Sequence, residues 1–251
     1  MPLISKFSIF ITVIIQFIAT VLLSFLLLGC IDTSSNFSNV YLIDYKFNST
    51  SLLYNHLSSS SNSSIHSTTL DDLSVRIGYM GVCLHHGEDL ACTSYSALET
   101  FQDYSISMLS ANLDLVQLAE SFSSICHPRM LLSTIVLTLV SLVFLCYCII
   151  PIVPGKFLVK KINAVVTFLN IMLWGLGSML ERQAVATSMV MMEESSFQLL
   201  SVSKGGRAEA ITWTAFSFLL VVFLSMCFAC WTEFKYRKAT QPSTSNQTEK
   251  V

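Results

Sequence analysis

Four long apolar runs constrain this chain more than any other feature of its sequence. They cover residues 7–28, 130–150, 162–180 and 210–231, and none of them contains Asp, Glu, Lys, Arg or His. Each run is close to the ~20 residues that an α-helix needs to cross a bilayer core of about 30 Å. Because lipid offers the backbone no hydrogen-bond partners, a helix is the form that satisfies such a segment internally. The sequence therefore predicts four transmembrane helices.

The first run has two other interpretations. It resembles a cleaved signal peptide in its position, and "LLLGC" at residues 26–30 resembles a bacterial lipoprotein cleavage box. However, the apolar stretch is longer than the ~7–15 residues of a signal-peptide core, and no A-x-A site follows it. Length therefore favours a retained helix.

The distribution of charge predicts the orientation of the helices. The 251 residues are 53% hydrophobic and only 12% charged, against about 25% charged residues in soluble domains. The short segment 151–161 carries three lysines and no acid, whereas the acids concentrate in the two longer loops. By the positive-inside rule, both termini are cytoplasmic.

The predicted organisation follows from the runs and this orientation. In chain order it is a cytoplasmic N-terminus (1–6), helix one (7–30), extracellular loop one (31–129), helix two (130–150), a cytoplasmic loop (151–161), helix three (162–180), extracellular loop two (181–209), helix four (210–231) and a cytoplasmic tail (232–251). Asn36, Asn48 and Asn62 begin N-x-S/T sequons in loop one, where glycosylation is expected.

Loop one combines a Ser- and Asn-rich segment with segments that have structural periodicity. Residues 49–72 are polar and have little periodicity, so we expect an extended, glycosylated excursion. "VYLIDYKF" at 40–47 alternates between two sets of side chains, which predicts a strand. Apolar spacing in 104–126 predicts an amphipathic helix at the membrane surface, or one that packs on the sheet.

A hairpin is predicted around the stretch "RIGYMGVCLHHGEDLAC". If residues 86–89 form the turn, Cys83 lies opposite Cys92, and opposed residues have Cβ atoms about 4.5–5.5 Å apart. A disulfide is expected because an extracellular loop is oxidising; two free thiols are the alternative. A zinc site is disfavoured, since His85 and His86 point to opposite faces of a strand.

The glycines of this stretch predict a bend. Glycine within a strand marks a bulge or a close backbone approach. Gly78 and Gly81 bracket Tyr79 and Met80, so a bend there would turn Tyr79 or Met80 toward the membrane or across the sheet.

The other cysteines leave alternatives open. Cys30 and Cys126 are at the outer ends of the first two helices and are expected either to pair or to remain free thiols. Four cysteines near the cytoplasmic face are candidates for palmitoylation or buried apolar thiols: Cys146, Cys148, Cys227 and Cys230.

Polar residues inside the predicted spans are few. Gln16 and Asn170 are expected to form interhelical hydrogen bonds rather than to line a pore, since no ionisable residue lies in a span. The run 189–192 predicts either a contact with a partner or bilayer, or an extension of the helices. The acidic segments 71–72 and 86–89 are expected to be solvated surface, with weak Ca²⁺ binding as the alternative.

The motif and the layout resemble a known family. Gly78-Tyr79-Met80-Gly81, then Cys83 and Cys92, is similar to the signature of the fungal mating-induced four-pass proteins, the calcium regulators and membrane-fusion proteins of conjugating cells. That family is in turn similar to claudins, although the tryptophan of the claudin motif is absent here. The resemblance implies a claudin-like bundle of four transmembrane α-helices, with a small extracellular antiparallel β-sheet formed mainly by the first loop.

The resemblance also implies a function. It predicts a plasma-membrane protein at the mating projection or fusion site, required for cell–cell fusion and regulating calcium influx. Implied partners are the lipid bilayer, a related four-pass protein or a second copy, and a calcium channel or cell-wall component; nucleic acid and cofactors are not expected. A pore-forming or accessory channel subunit is the alternative. A lipid- or wall-modifying enzyme is disfavoured, because no nucleophile–base, phosphate-binding or metal-ligand constellation stands out.

The predicted topology can be tested by glycosylation. Replacing Asn36, Asn48 and Asn62 with Gln should abolish the loss of apparent mass that glycosidase treatment causes. Asn246→Gln is the matched control, because its sequon lies in the predicted cytoplasmic tail and should stay unmodified. Protease cleavage of the Ser-rich segment from the cytoplasmic side would contradict the orientation.

Overall fold

The computed structural model describes residues 2–51, 73–87, 89–97, 107–108, 111–112, 121–122, 128–150, 155–196 and 200–240. Asn62, Cys126 and most of the Ser-rich segment lie outside the described residues. The statements below concern the described part of the chain.

Four long helices dominate the structure. They are α1 (Pro2–Leu27), α3 (Arg129–Ile149), α4 (Lys156–Ser195) and α5 (Gly206–Thr240), and α2 (Ser35–Ser38) is a single turn. Each of the four is long and apolar enough to span a membrane. Helix α1 packs against α3 and α5, and α4 packs against the same two helices, so the four form a closed bundle.

The surface of this bundle is apolar and its interior contains polar side chains. Large exposed residues such as Phe17, Val143 and Leu176 cover the outside, as expected for helices solvated by lipid. The Gln16 amide nitrogen donates to the Thr138 carbonyl at 3.1 Å, which is an interhelical bond of the predicted kind. The prediction for Asn170 is wrong, since neither of its amide atoms has a hydrogen-bond partner among the described residues.

Helices α4 and α5 extend far beyond a bilayer. Their 40 and 35 residues correspond to about 60 and 52 Å at 1.5 Å per residue. The methionine-rich run 189–192 is therefore helical, which corresponds to the second of the two predicted arrangements. Met189 and Met192 pack against the core, whereas Val190 and Met191 are exposed.

A five-stranded antiparallel sheet lies at one end of the bundle, which we call the sheet end. Its strands are β1 (Ile43–Phe47), β2 (Leu73–Ile77), β3 (Gly81–His86), β4 (Asp89–Ser94) and β7 (Leu200–Lys204), in the order β4-β3-β2-β1-β7. Strand β7 comes from the second loop, so the sheet combines both predicted outer loops. Its buried side chains share one core with α1, α4 and α5.

The predicted amphipathic helix is wrong at residues 107–108 and 111–112, whereas residues 121–122, which the structure also describes, are helical. Strands β5 (Ser107–Met108) and β6 (Ala111–Asn112) pair as a separate antiparallel ladder inside that segment. Serine and asparagine are weak helix formers and favour turns, which offsets the apolar spacing that suggested a helix.

Strand β1 confirms the predicted strand over Ile43–Phe47, and all of its residues except Lys46 are buried. It pairs with β2 on one side and with β7 on the other, so it is a central strand. Asp44 is 1% exposed although it alternates with the core residues Ile43 and Tyr45. Its Oδ2 lies 3.4 Å from the Lys46 Nζ, while its Oδ1 has no partner among the described residues. Burial raises the pKa of the Asp44 carboxyl, and the neighbouring Lys46 and Arg76 oppose that shift only in part.

The Asp44 carboxylate should therefore destabilise the sheet at neutral pH. A raised pKa in the folded state gives stability that is present at low pH and is lost as the pH rises through that pKa. Asp44→Asn should raise the unfolding temperature of the detergent-solubilised protein at about pH 7, and the gain should shrink toward about pH 4, near the ordinary aspartate pKa. Asp32→Asn, an exposed control, should change the temperature little. A gain from Asp44→Asn that grew as the pH fell would contradict this assignment.

Candidate functional site

The glycine-rich motif forms the turn between β2 and β3. The Gly78 N–H donates to the Gly81 carbonyl at 2.8 Å, and the chain reverses between these residues. The sequence predicted only a bend within one strand, so this part of the prediction is wrong. Tyr95, which directly follows β4, also contacts this turn: its hydroxyl donates to the Gly78 carbonyl at 2.8 Å.

Both motif glycines are required by a close approach between two backbones. A Cβ atom added at Gly78 would lie closer than 3.0 Å to the Gly29 carbonyl, and one at Gly81 equally close to the Cys30 carbonyl. Neither motif glycine has a positive φ, so contact rather than an unusual dihedral angle excludes a side chain. The turn therefore packs directly on the chain that leaves α1.

Tyr79 connects this turn to the bundle. Its side chain is 6% exposed, and its hydroxyl donates to the Glu181 Oε2 of α4 at 2.5 Å. Met80, its neighbour, is 39% exposed. Of the two residues expected to point inward, the structure directs Tyr79 into the protein and leaves Met80 at the surface.

Cys83 and Cys92 form a disulfide across the β3–β4 hairpin. Their Cα atoms are 4.0 Å apart, and the register pairs Cys83 with Cys92 and Leu84 with Ala91, as the sequence predicted. Gly87 at the hairpin tip has φ +61°, a conformation that suits glycine. Strand β3 begins at the glycine turn and also pairs with β2. The disulfide therefore links the edge strand β4 covalently to the strand that follows the turn.

Cys30 is a free, buried thiol directly below this turn. Its Sγ donates to the Val40 carbonyl at 3.6 Å, and burial raises its pKa to about 12. The thiol is therefore protonated at neutral pH and a poor nucleophile. Its predicted alternative partner, Cys126, lies outside the described residues.

The other predicted modification sites differ in accessibility. Cys146 and Cys227 are exposed on the bundle surface, whereas Cys148 is buried and the Cys230 Sγ lies 3.8 Å from the Lys160 carbonyl. Among the sequons, Asn36 is exposed on α2, and the Asn48 Oδ1 accepts a bond from the Thr50 hydroxyl at 2.6 Å. Palmitoylation and glycosylation of these residues remain predictions.

A pocket of about 320 Å³ lies beside the Tyr79–Glu181 contact, between α4, α5 and β7. Glu181, Thr212 and Trp213 contribute to its wall, and Lys204 forms an ion pair with Glu209 at 2.8 Å on its rim. Sequence analysis missed this pocket, because Glu181 read as the first loop residue after an apolar run. No cluster of three or more His, Cys, Asp or Glu that could hold a metal occurs among the described residues.

Comparisons with known proteins agree with the resemblance that the motif suggested. A family model described as "Ca2+ regulator and membrane fusion protein Fig1" matches residues 57–235, well over half of the chain. The Factor-induced gene 1 protein of Saccharomyces cerevisiae is 28% identical over 233 residues, which is 81% of this chain and 77% of the yeast protein. The matched region includes the glycine turn, the disulfide hairpin and the helices α3 and α4.

The backbone contact at the turn predicts different outcomes for two glycines. Gly81→Ala should destabilise the protein by roughly 1–3 kcal/mol, a typical cost of overpacking, because the new methyl meets a backbone atom that cannot move aside. Gly206→Ala is the control, since nothing lies within 4 Å of its Cβ position and alanine suits the start of α5. Thermal unfolding and surface abundance measure both. Equal stability of the two variants would contradict the close approach.

Proposed function

The chain belongs to the Fig1 family of Ca²⁺ regulators and membrane fusion proteins, and we propose that it performs this role at the plasma membrane of mating fungal cells. It is a multi-pass membrane protein with four candidate spans. In the proposed arrangement the sheet end faces the cell exterior and meets the partner cell, while regulated calcium entry accompanies fusion. The mating context comes from the resemblance of the Gly-Cys motif and layout to the fungal mating-induced four-pass proteins.

One observation carries this proposal: the disulfide-closed sheet is attached rigidly to the bundle. The glycine turn contacts the end of α1, Tyr79 bonds to α4, and β7 leads directly into α5. A force or a binding event at the hairpin would therefore reach three of the four spanning helices. An organiser of membrane contacts needs such a connection between its outer surface and its membrane segments.

The proposed topology has support from charge as well. The first turns of α4 carry Lys156, Lys160 and Lys161, and Lys160 pairs with Glu233 of α5 at 2.9 Å. These residues lie at the end opposite the sheet, where the positive-inside rule predicts the cytoplasm. With that orientation, Cys146 and Cys227 lie at the inner surface, accessible to palmitoylation.

A claudin-like fold is part of the proposal. A sheet that carries Gly78, Gly81, Cys83 and Cys92 lies on a four-helix bundle, in the order the claudin resemblance implies. We assign the protein an organising rather than a catalytic role. In that role it would assemble a second copy, a related four-pass protein, a calcium channel or a wall component around the fusion site. The second candidate function, a pore-forming or accessory channel subunit, is favoured by the polar residues inside the bundle.

The disulfide provides the test of the fusion role. Cys83→Ser and Cys92→Ser should each reduce cell–cell fusion, and the double variant should be no worse than either single one, because removing one partner already opens the bridge. Loss of such a bridge commonly costs about 2–5 kcal/mol. Fusion frequency and calcium uptake during mating should therefore be normalised to the amount of protein at the cell surface.

Cys146→Ser is the matched control for these variants. It also removes one cysteine, but that thiol is free and exposed on the bundle, so fusion should stay at the wild-type level. Normal fusion by surface-expressed Cys83→Ser protein would refute the role of the hairpin.

A further inference from the structure

One face of α4 carries a stripe of side chains with polar atoms through the bundle, among them Trp174, whose indole also packs in the apolar core. Its members recur every three or four residues, the spacing of a single helix face. They are Lys160, Asn163, Thr167, Asn170, Trp174, Ser178 and Glu181. Asn163, Asn170 and Trp174 are at most 1% exposed, so this face points into the bundle rather than toward lipid.

Several polar atoms of this interior have no hydrogen-bond partner among the described residues. They include both side-chain amide atoms of Asn163 and of Asn170, and the Trp174 Nε1. Facing helices contribute the Gln16 Oε1, the Ser141 Oγ and the Thr212 Oγ1. Buried polar groups without partners are strongly unfavourable in a dry interior. Their concentration in one part of the bundle indicates that water satisfies them, since buried waters typically bond to such groups.

The stripe meets the pocket at the sheet end. Ser178 and Glu181, its last two members, are part of the pocket wall, as is Thr212 of α5. Thr212 is 5% exposed, and its hydroxyl has no partner among the described residues. The pocket therefore adjoins the last residues of the stripe at the sheet end.

The opposite end of the stripe is closed by an ion pair. Lys160, its first member, lies 2.9 Å from Glu233 of α5, and both side chains are largely buried. The paired side chains fill this position and block the passage of ions toward the cytoplasm by volume, while Glu233 offsets the charge of Lys160.

We propose that the pocket and the stripe below it form a hydrated cavity that admits small cations from the sheet end and is closed by the Lys160–Glu233 pair. Amide and hydroxyl oxygens are ligands for hard cations. Burial raises the pKa of Glu181 to about 7, and Arg182 lies on the same wall, so Glu181 adds only part of a negative charge at the entrance. Glu209 contributes less, because Lys204 pairs with it. The cavity does not depend on the fusion role; its access from outside the cell rests on the proposed topology.

Thiol accessibility tests the cavity, with Ag⁺ as the probe. The five cysteines that the structure describes as free, together with Cys126, are first replaced by alanine. Asn170→Cys is then compared with Leu169→Cys, and Ser178→Cys with Met179→Cys; Leu169 and Met179 are exposed on the lipid-facing surface at matching depths. Ag⁺ is added outside intact cells in chloride-free buffer, and unreacted thiols are alkylated after denaturation with a maleimide that adds mass.

The expected result is protection of both interior thiols from alkylation, and no protection of the two lipid-facing thiols. Glu181→Gln, which keeps an acceptor for Tyr79, should slow Ag⁺ modification at position 170 by up to roughly fivefold at a pH above 7, where Glu181 is ionised, and by less at lower pH. That value follows from a charge about 16 Å away along the helix at an effective dielectric constant of about 20. The amount of each variant at the surface is measured in parallel.

Three results would overturn the proposal. Equal reactivity of Asn170→Cys and Leu169→Cys would show that the interior is dry. Protection of Ser178→Cys alone would confine water to the pocket. Protection of Asn170→Cys only after the cells are permeabilised would place the opening at the Lys160–Glu233 end. The glycosylation test reports separately whether the topology itself is wrong.

Discussion

The structure depends on a direct contact between two pieces of backbone at the sheet end of the bundle. The turn of Gly78 and Gly81 lies against the carbonyls of Gly29 and Cys30, too close for any side chain between them. Gly205, where the chain enters α5, approaches Tyr41 in the same way. These contacts fix the height and tilt of the sheet on the helices. The Tyr79–Glu181 hydrogen bond, the pocket beside it and the buried Cys30 thiol all exist because the sheet lies this close.

Sequence patterns predicted the elements that a single physical rule dictates. An uncharged apolar run satisfies its backbone in lipid by forming a helix, so the four helices were predictable. The disulfide between Cys83 and Cys92 was predictable once a tight hairpin was assumed. The environment of Asp44 was not predictable. Alternation indicates which residues share a face, but whether that face is covered depends on β7, more than 150 residues away in the chain.

The candidate site, too, was only partly predictable from sequence patterns. Gly78 and Gly81 were recognisable as special, but the sequence could not say which backbone they approach or that the chain reverses there. Glu181 carried no signal, because an acid after an apolar run normally marks the end of a membrane span. It became interpretable only when α4 proved to continue for another three to four turns. Asn170 was recognised, yet its expected partner was absent from the part of the chain described.

The pairing of β1 with β7 has a consequence for the biogenesis of the protein. β1 emerges early in synthesis and β7 only shortly before the last helix, so the sheet cannot be completed until α4 has crossed the membrane. The β3–β4 hairpin, by contrast, closes over a short loop, and in the proposed topology it can oxidise as soon as it reaches the lumen. Until β7 arrives, β1 presents an unpaired strand edge of the kind that other chains can bind. Secretory quality control can therefore recognise an incompletely inserted molecule by that open edge, and a chain whose fourth span fails to insert would carry the defect in its outer domain.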